Sequence, residues 1–568
     1  MPRTQYSLDG RWYFQIDRDE KGEARGYHLP SYQPQGWLQV TVPSNWDTYL
    51  PELFGWAGHA WYRRTFSIDP AWSDRRLHLH LAGANYETTV WLNGRLVGVH
   101  AGGFDPFAFD ITDFVSWQGE NTLAVRVDNW PRLHRVPNSY GGWWNYGGIY
   151  RNVSLLALPP LRLADLRVQA DPGAPAPLTI EATVINESDS SAAVSLTAQV
   201  NSPQGPAEVR GSLATSPTTL AAGERRTFRL QAALPQAQLW SPDQPYLYEL
   251  TVVLQQQGAP IDQLTTTFGV RRFEVNGTRL LLNGQPISIT GFNRHEEYAG
   301  SGRVDPGGRL EADLRLIKDL GGNMVRLHYQ AHPDLYDLCD RLGLLVFAEI
   351  PLWGVGNKDA AELSHPEVWQ TAEAMLRTLI TTLKNHPSVV VWSVGNECAT
   401  NLPEARPLIA HLVQTARALD ASRPIAYVGC FGPAEKCYDL VDLPCTNQYF
   451  GLNWDAFGQQ IDATHALAPD KPLLVTEFGH EAALGLHGEG YGCEEEQATV
   501  LAGQWAEIVR RRAFVPGGLI WCLADYWHMP VGPDWRWFNR LYFCHGIATL
   551  DRRLKQAAQT VRELWGRG

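Results

Sequence analysis

The sequence predicts a multidomain chain of α and β structure: an N-terminal β jelly roll, an immunoglobulin-like β-sandwich and a C-terminal (β/α)8 barrel (TIM barrel). Three observations carry this. The 568 residues exceed the roughly 250–300 at which a single core stops growing. The texture of the chain changes near residues 158 and 273. Beyond the second change, strand-like and helix-like runs alternate through eight repeats, the order of a parallel barrel.

Residues 1–157 contain short alternating runs at 61–68, 76–81, 88–92 and 122–127, separated by turns such as Asn93-Gly94. No helical periodicity is sustained there, so an antiparallel jelly roll is expected. In residues 158–272 tryptophan falls to Trp240 alone, and strand-like runs recur at 178–185, 194–200, 227–230 and 248–254. That spacing predicts a small immunoglobulin-like sandwich. Residues 273–568 supply eight strand candidates: 287–291, 324–328, 344–349, 389–394, 425–428, 445–449, 473–477 and 518–523. Leu310, Leu314 and Ile317 share one helical face, with Gly321 placed as a stop. The segment 494–512 opens acidic and ends basic, as a helix dipole prefers. A doubly wound sheet is the competing fold, but Gly291-Phe292-Asn293-Arg294-His295-Glu296 is not a glycine-rich phosphate loop.

Composition narrows the function. With 48 basic and 60 acidic residues the net charge is −12, so no nucleic-acid partner is expected. Apolar runs are too short for a membrane span, and no membrane partner is expected. The first residues lack the apolar core of a signal peptide, which points to a cytoplasmic protein. Eight cysteines without a CxxC pair read as buried free thiols. Of 22 tryptophans, half precede residue 150; such rings build cores and also stack on sugars.

In a barrel, reactive groups stand at the C-terminal ends of strands. Strand four, 389–394, runs into Gly395-Asn396-Glu397, and strand seven ends in Thr476-Glu477-Phe478-Gly479. Two carboxyl groups at the mouth are what glycosidic cleavage requires. One protonates the leaving oxygen, and the other attacks the anomeric carbon when the pair is about 5–5.5 Å apart. Glu397 is therefore expected as acid/base and Glu477 as nucleophile.

The runs 385–397 (Asn-His-Pro-Ser-Val-Val-Val-Trp-Ser-Val-Gly-Asn-Glu), 291–296 and 476–479 resemble glycoside hydrolase family 2, which includes β-galactosidases, β-glucuronidases and β-mannosidases. The resemblance spans the chain: 7–14 and 147–153 resemble landmarks of the family's sugar-binding jelly roll, and 268–271 the exit from its immunoglobulin-like domain. It implies a retaining mechanism and a β-glycoside carbohydrate partner. Residue by residue, it implies that Asn396 bonds the sugar 2-hydroxyl and Tyr449 contacts the nucleophile. It also implies that Asn447, His295, Arg326, His328, Trp521 and His545 line the pocket, with Asp525 a further candidate.

Three departures from the family pattern set the expected specificity. Where glucuronidases carry Asn-x-Lys, this chain has Phe543-Cys544-His545, so a uronide would need another anchor, Arg552 or His545. Where large β-galactosidases carry a magnesium-binding Glu-x-His, the stretch is Pro351-Leu352-Trp353-Gly354; no metal and no cofactor is expected. Residues 141–145, Gly-Gly-Trp-Trp-Asn, lack the family's acidic residue and predict a differently shaped pocket wall. The expectation is an exo-β-glycosidase with β-galactosidase first. β-Glucuronidase or β-galacturonidase is the alternative, and a catalytically silent carbohydrate-binding protein a more distant one. Whether the chain forms a homo-oligomer is not legible in its residues.

Overall fold

The computed structural model describes residues 3–137, 142–529 and 541–566. The chain divides into two compact units. One holds Met1–Trp130, Tyr146–Arg271 and Asn385–Pro387; the other holds Pro131–Asn145, Arg272–Lys384 and Ser388–Gly568.

The first unit is all β. A six-stranded sheet (Leu38–Val42, Gly10–Asp17, His59–Phe66, Asn121–Asp128, Glu87–Leu92, Arg95–Ala101 in spatial order) and a four-stranded sheet (Thr4–Ser7, Val153–Leu158, Arg76–Leu81, Phe107–Asp110) form the jelly roll. Asn93 and Gly94 both take positive φ, +53° and +81°. This is the turn that matches the twist of two antiparallel strands, and it joins Glu87–Leu92 to Arg95–Ala101. The tryptophans of this region mostly pack: Trp12, Trp46 and Trp61 are buried, and Trp61 stacks on Trp91 at 4.9 Å. The immunoglobulin-like part pairs Leu161–Ala170, Ala176–Asn186 and Arg225–Leu234 in one sheet and Ala192–Ser202, Tyr248–Gln256 and Ala259–Phe268 in the other. Alternate residues of these strands, Leu178, Ile180, Ala182 and Val184 among them, face a shared apolar core, as period-two patterning requires.

The second unit is built on a closed barrel of eight strands: Ile289–Asn293, Met324–Leu327, Leu345–Glu349, Val389–Asn396, Ile425–Gly429, Leu443–Asn447, Leu474–Phe478 and Gly517–Ile520. Neighbours pair in parallel, and the first strand closes on the eighth. Every strand candidate of the sequence overlaps one of these. Helix Arg309–Asp319 buries Leu310, Leu314 and Ile317, and Gly321 follows it at φ +87°. The helix expected at 494–512 spans Glu494–Arg510.

Three details differ from expectation. Strand six ends at Asn447, so Tyr449 stands on the following loop; the strand's register against strand seven slips between Thr446 and Asn447. Strand eight ends at Ile520, leaving Trp521 just beyond it. Pro131–Asn145, placed by sequence in the first domain, belongs to the barrel's unit, where Trp143 packs among barrel aromatics. All eight cysteines are free thiols; six are buried, Cys544 is half-buried and Cys430 is exposed.

Candidate active site

Irregularities at the strand ends aim the side chains. The ladder slips between Ser393 and Asn396 on strand four and between Val475 and Phe478 on strand seven. Bulges of this kind bend a strand and re-aim its side chains. Glu397 sits at φ +50°, a left-handed conformation that costs a residue with a Cβ about 1–3 kcal/mol. The backbone around it is fully engaged. Glu397 N–H donates to Val428 O at 2.8 Å, Asn396 N–H to Leu352 O at 2.9 Å, and Gly354 N–H to Asn396 O at 3.1 Å. The Asn357 amide adds a bond to Glu397 O at 2.8 Å.

Arg326, fully buried at the end of strand two, is the hub beneath the mouth. Its Nη1 donates to Asn293 Oδ1 at 2.9 Å and Glu477 Oε1 at 2.7 Å. Its Nη2 donates to both oxygens of Glu349 at 3.1 Å and to Asn396 Oδ1 at 2.9 Å. Glu349 also meets His328 Nδ1 at 2.8 Å and accepts from Ser393 Oγ at 2.7 Å. On the other side, Asn447 Nδ2 donates to Glu397 Oε1 at 2.7 Å and Asn396 Oδ1 at 3.1 Å. Tyr449 Oη donates to Glu477 Oε2 at 2.6 Å. Glu397 and Glu477 are thus the ends of one continuous network through Asn447, Asn396 and Arg326.

That network sets the charges. Burial pushes Glu477 up to about 7; Arg326 opposes this, the Glu397 carboxyl reinforces it, and Tyr449 pulls it down. Burial also raises Glu397, against the pull of the Asn447 amide, Arg326 and the Trp353 indole N–H. Glu349 goes the other way. Burial alone would raise it, but Arg326, His328 and Ser393 together hold it below the usual carboxylate range. His328 is held down by burial and by Arg326, and His295 well down by burial, then by His328 and Arg303. The site therefore sets two carboxyls that burial raises beside one that is held low by a buried arginine.

Ten of the twelve residues singled out in the sequence fall into this assembly. His295 lies 5.6 Å from the His328 ring and 5.3 Å from Trp521, and its Nδ1 meets Tyr329 Oη at 3.2 Å. Trp521 lies 5.1 Å from His328. His545 reaches it through Tyr449, ring to ring at 5.9 Å, and has Glu481 3.5 Å from its Nδ1. Asp525 sits behind, paired with Lys555 at 2.7 Å. Arg552 does not reach the mouth; its guanidinium is bound to Asp313, Glu297 O and Leu550 O. Sequence reasoning missed Glu349, which the strand-end rule would have found, and also Ser393, Asn293 and Tyr526, whose ring lies 4.7 Å from His295. Trp143 was seen only as part of an altered wall; it stacks on His328 at 5.7 Å and 17°. Gly141 of that stretch lies outside the described residues.

Comparison with known proteins fixes the family. The glycoside hydrolase family 2 sugar-binding domain matches residues 5–159, the central family 2 domain 161–271, and the family 2 TIM barrel domain 273–567. The chain belongs to glycoside hydrolase family 2. Among its relatives, a β-glucuronidase of Paenibacillus borealis is 30% identical over 98% of this chain and 96% of its own length. A β-galactosidase of Bacteroides ovatus is 27% identical over 94% of this chain and 69% of its own. Of solved structures, a Ruminococcus gnavus β-glucuronidase superposes with a TM-score of 0.88 at 25% identity, covering 100% of this chain and 98% of that one. The same enzyme in complex with D-glucaro 1,5-lactone gives 0.87 at 25% identity, covering 99% and 98%. As a family 2 glycoside hydrolase, the chain carries its buried carboxyl pair at the mouth of the family's barrel.

Proposed function

We propose that this family 2 glycoside hydrolase is a retaining exo-β-glycosidase that removes terminal β-uronic acids, β-glucuronide first, with Glu477 as nucleophile and Glu397 as acid/base. Its whole-length likeness to proteins named β-glucuronidase carries the choice of sugar. That reverses the order expected from sequence, in which galactoside stood first.

The chemistry is that of the network. Glu477 attacks the anomeric carbon while Glu397 gives its proton to the leaving oxygen; a glycosyl–enzyme forms, and Glu397 then takes a proton from the water that releases it. Arg326 and Tyr449 hold one Glu477 oxygen each, which orients the attack and stabilises the anion. Asn396 Oδ1 is spent on Arg326 and Asn447, so Nδ2 is left to donate to the sugar 2-hydroxyl. His545 serves as the carboxylate anchor in place of the family's lysine. It lies on the Tyr449 side of Glu477, and Arg552 is committed elsewhere.

A β-galactosidase is the second reading, favoured by Phe543-Cys544-His545 in place of Asn-x-Lys and by the Bacteroides relative. A panel of 4-nitrophenyl β-glycosides decides between them. The glucuronide or galacturonide should be cleaved with the highest kcat/KM, and His545→Ala should weaken the uronides more than the neutral sugars. Faster cleavage of galactoside than of either uronide would reject the uronide assignment and leave the two-glutamate mechanism in place.

A further inference from the structure

Asn447 holds the Glu397 carboxyl, and a second set of hydrogen bonds holds the backbone that follows it. Cys398 O accepts from Tyr427 Oη at 3.2 Å and from Thr400 N–H at 2.5 Å. Ala399 N–H donates to Val355 O at 2.9 Å. The Thr400 hydroxyl oxygen lies 2.5 Å from Glu435 Oε2, 3.1 Å from Cys398 O and 3.2 Å from Tyr427 Oη. A hydroxyl has one proton to give. The shortest contact assigns it to Glu435, which leaves Cys398 O to Tyr427 and to Thr400 N–H. Cys398, Thr400 and Tyr427 are fully buried and Glu435 is 5% exposed. A carboxyl buried that far is costly unless its oxygens are bonded. Here Oε1 accepts from Phe431 N–H at 3.0 Å, while Lys436 N–H donates to Thr400 O at 2.9 Å. Gly429, at the end of strand five, makes room for the group: a Cβ there would stand 2.1 Å from Oε1.

We propose that Glu435 and Thr400, with Tyr427, are positioning residues that lock the turn after Glu397 and so hold its carboxyl at the leaving oxygen of the substrate. This rests on the acid/base reading of Glu397. The left-handed backbone of Glu397 persists only where its surroundings over-determine it. Val428 O and Asn357 fix the peptide groups of Glu397 itself. The bonds on Cys398 O and Thr400 fix the peptide that comes next, and they tie it to strand five and the loop behind it. A tilt of that peptide would swing the Cα–Cβ bond of Glu397. Proton donation needs the carboxyl within about 2.6–3.2 Å of the oxygen it protonates, so a small swing is felt in that step. The nucleophile is oriented separately, by Arg326 and Tyr449. Loosening the brace therefore disturbs the acid and leaves the attack in place.

Two glycosides of the sugar cleaved best, one of 4-nitrophenol and one of phenol, test this. 4-Nitrophenolate is a weak base and leaves with little help, whereas phenolate is a stronger base and needs the proton of the acid. Thr400→Val, which keeps the shape and removes the hydroxyl, should lower kcat/KM for the phenyl glycoside about tenfold more than for the nitrophenyl one, as a small misplacement allows. Thr400→Ser, which keeps the hydroxyl, should restore both. Glu435→Gln offers one acceptor where the carboxyl uses two; it should act in the same direction and add little to Thr400→Val, because both act at one bond. Tyr427→Phe carries the test should Thr400→Val not fold. Equal losses on the two glycosides, or none, in folded Thr400→Val would overturn the proposal, and additive losses in the double variant would overturn the route from Glu435 through Thr400. Glu397→Gln keeps the two readings apart. Equal losses on both glycosides in that variant reject Glu397 as the acid, whereas a selective loss there that Thr400→Val does not share rejects only the brace.

Discussion

Glu477 accepts hydrogen bonds from a cation and a phenol while a second carboxyl group pushes against its charge. As the proposed nucleophile it must be ionised to attack, and burial places it at about 7. The ionised fraction, and with it kcat/KM, should therefore fall as pH drops through that value. Tyr449→Phe removes a bond that favours the anion, so the acidic limb should move to higher pH, by about half to one unit. An acidic limb that stays put would mean that the phenol does not tune the nucleophile. Most of these residues were legible because a barrel puts reactive groups at strand ends, and a strand end can be read from an apolar run. Glu349 fits the same rule and was passed over because its strand runs on into Ile350-Pro351-Leu352, with no pattern to set it apart. Trp143 was legible only as a change in composition. Nothing local to residue 143 indicates that its ring meets His295, His328 and Tyr329, which lie far along the chain.

The eight barrel strands could be read from short buried runs, and their ends could not. Where strands four, six and seven slip register, the backbone serves side chains that bond across the mouth, and apolar patterning carries no trace of that. The stretch 544–546 shows how an element is pinned in the same way. Lys555 Nζ donates to Asp525 Oδ1 at 2.7 Å and Cys544 O at 2.9 Å, and Gly546 N–H donates to Asp525 Oδ1 at 2.9 Å. His545 is held between the two braced residues. Removing one member of such a buried pair costs about 3–5 kcal/mol, because the other is left as an uncompensated charge. Lys555→Met should therefore lower thermal stability and weaken binding at His545. The pH dependence has a definite sign. Burial raises Asp525 to about 6 even with Lys555 beside it, and the variant raises it further. A carboxyl raised in the folded state stabilises it below the unfolded value, and that stabilisation is lost as pH rises through the folded one. The deficit should be small at pH 5, where Asp525 is protonated, and large at pH 8. Melting curves at the two values that show equal deficits would remove Lys555 as the compensating charge.

At the scale of the whole chain, the barrel's unit is not a contiguous stretch of sequence. It takes in Pro131–Asn145, although the barrel itself begins only with Ile289–Asn293. The family's TIM barrel domain, matched at 273–567, therefore omits part of the unit that surrounds its own mouth. A chain truncated to residues 273–568 would lose Trp143 from the rings of His295, His328 and Tyr329. It would also lose Gly142 from His528 and Trp144 from Arg303. Three aromatic surfaces would be uncovered at once, and His528 and Arg303 would each lose one hydrogen bond. Glu397 and Glu477 themselves would keep their bonds to Asn447, Arg326 and Tyr449. The truncated chain should then show a helix and strand content close to that of the barrel, yet cleave its best 4-nitrophenyl glycoside at least about a hundredfold more slowly, as small displacements at a reacting centre allow. Trp143→Ala in the full chain should reproduce part of that loss with the β domains present. This variant separates the missing segment from any general effect of truncation. Full activity in a soluble truncated chain would show that the mouth is complete without the segment.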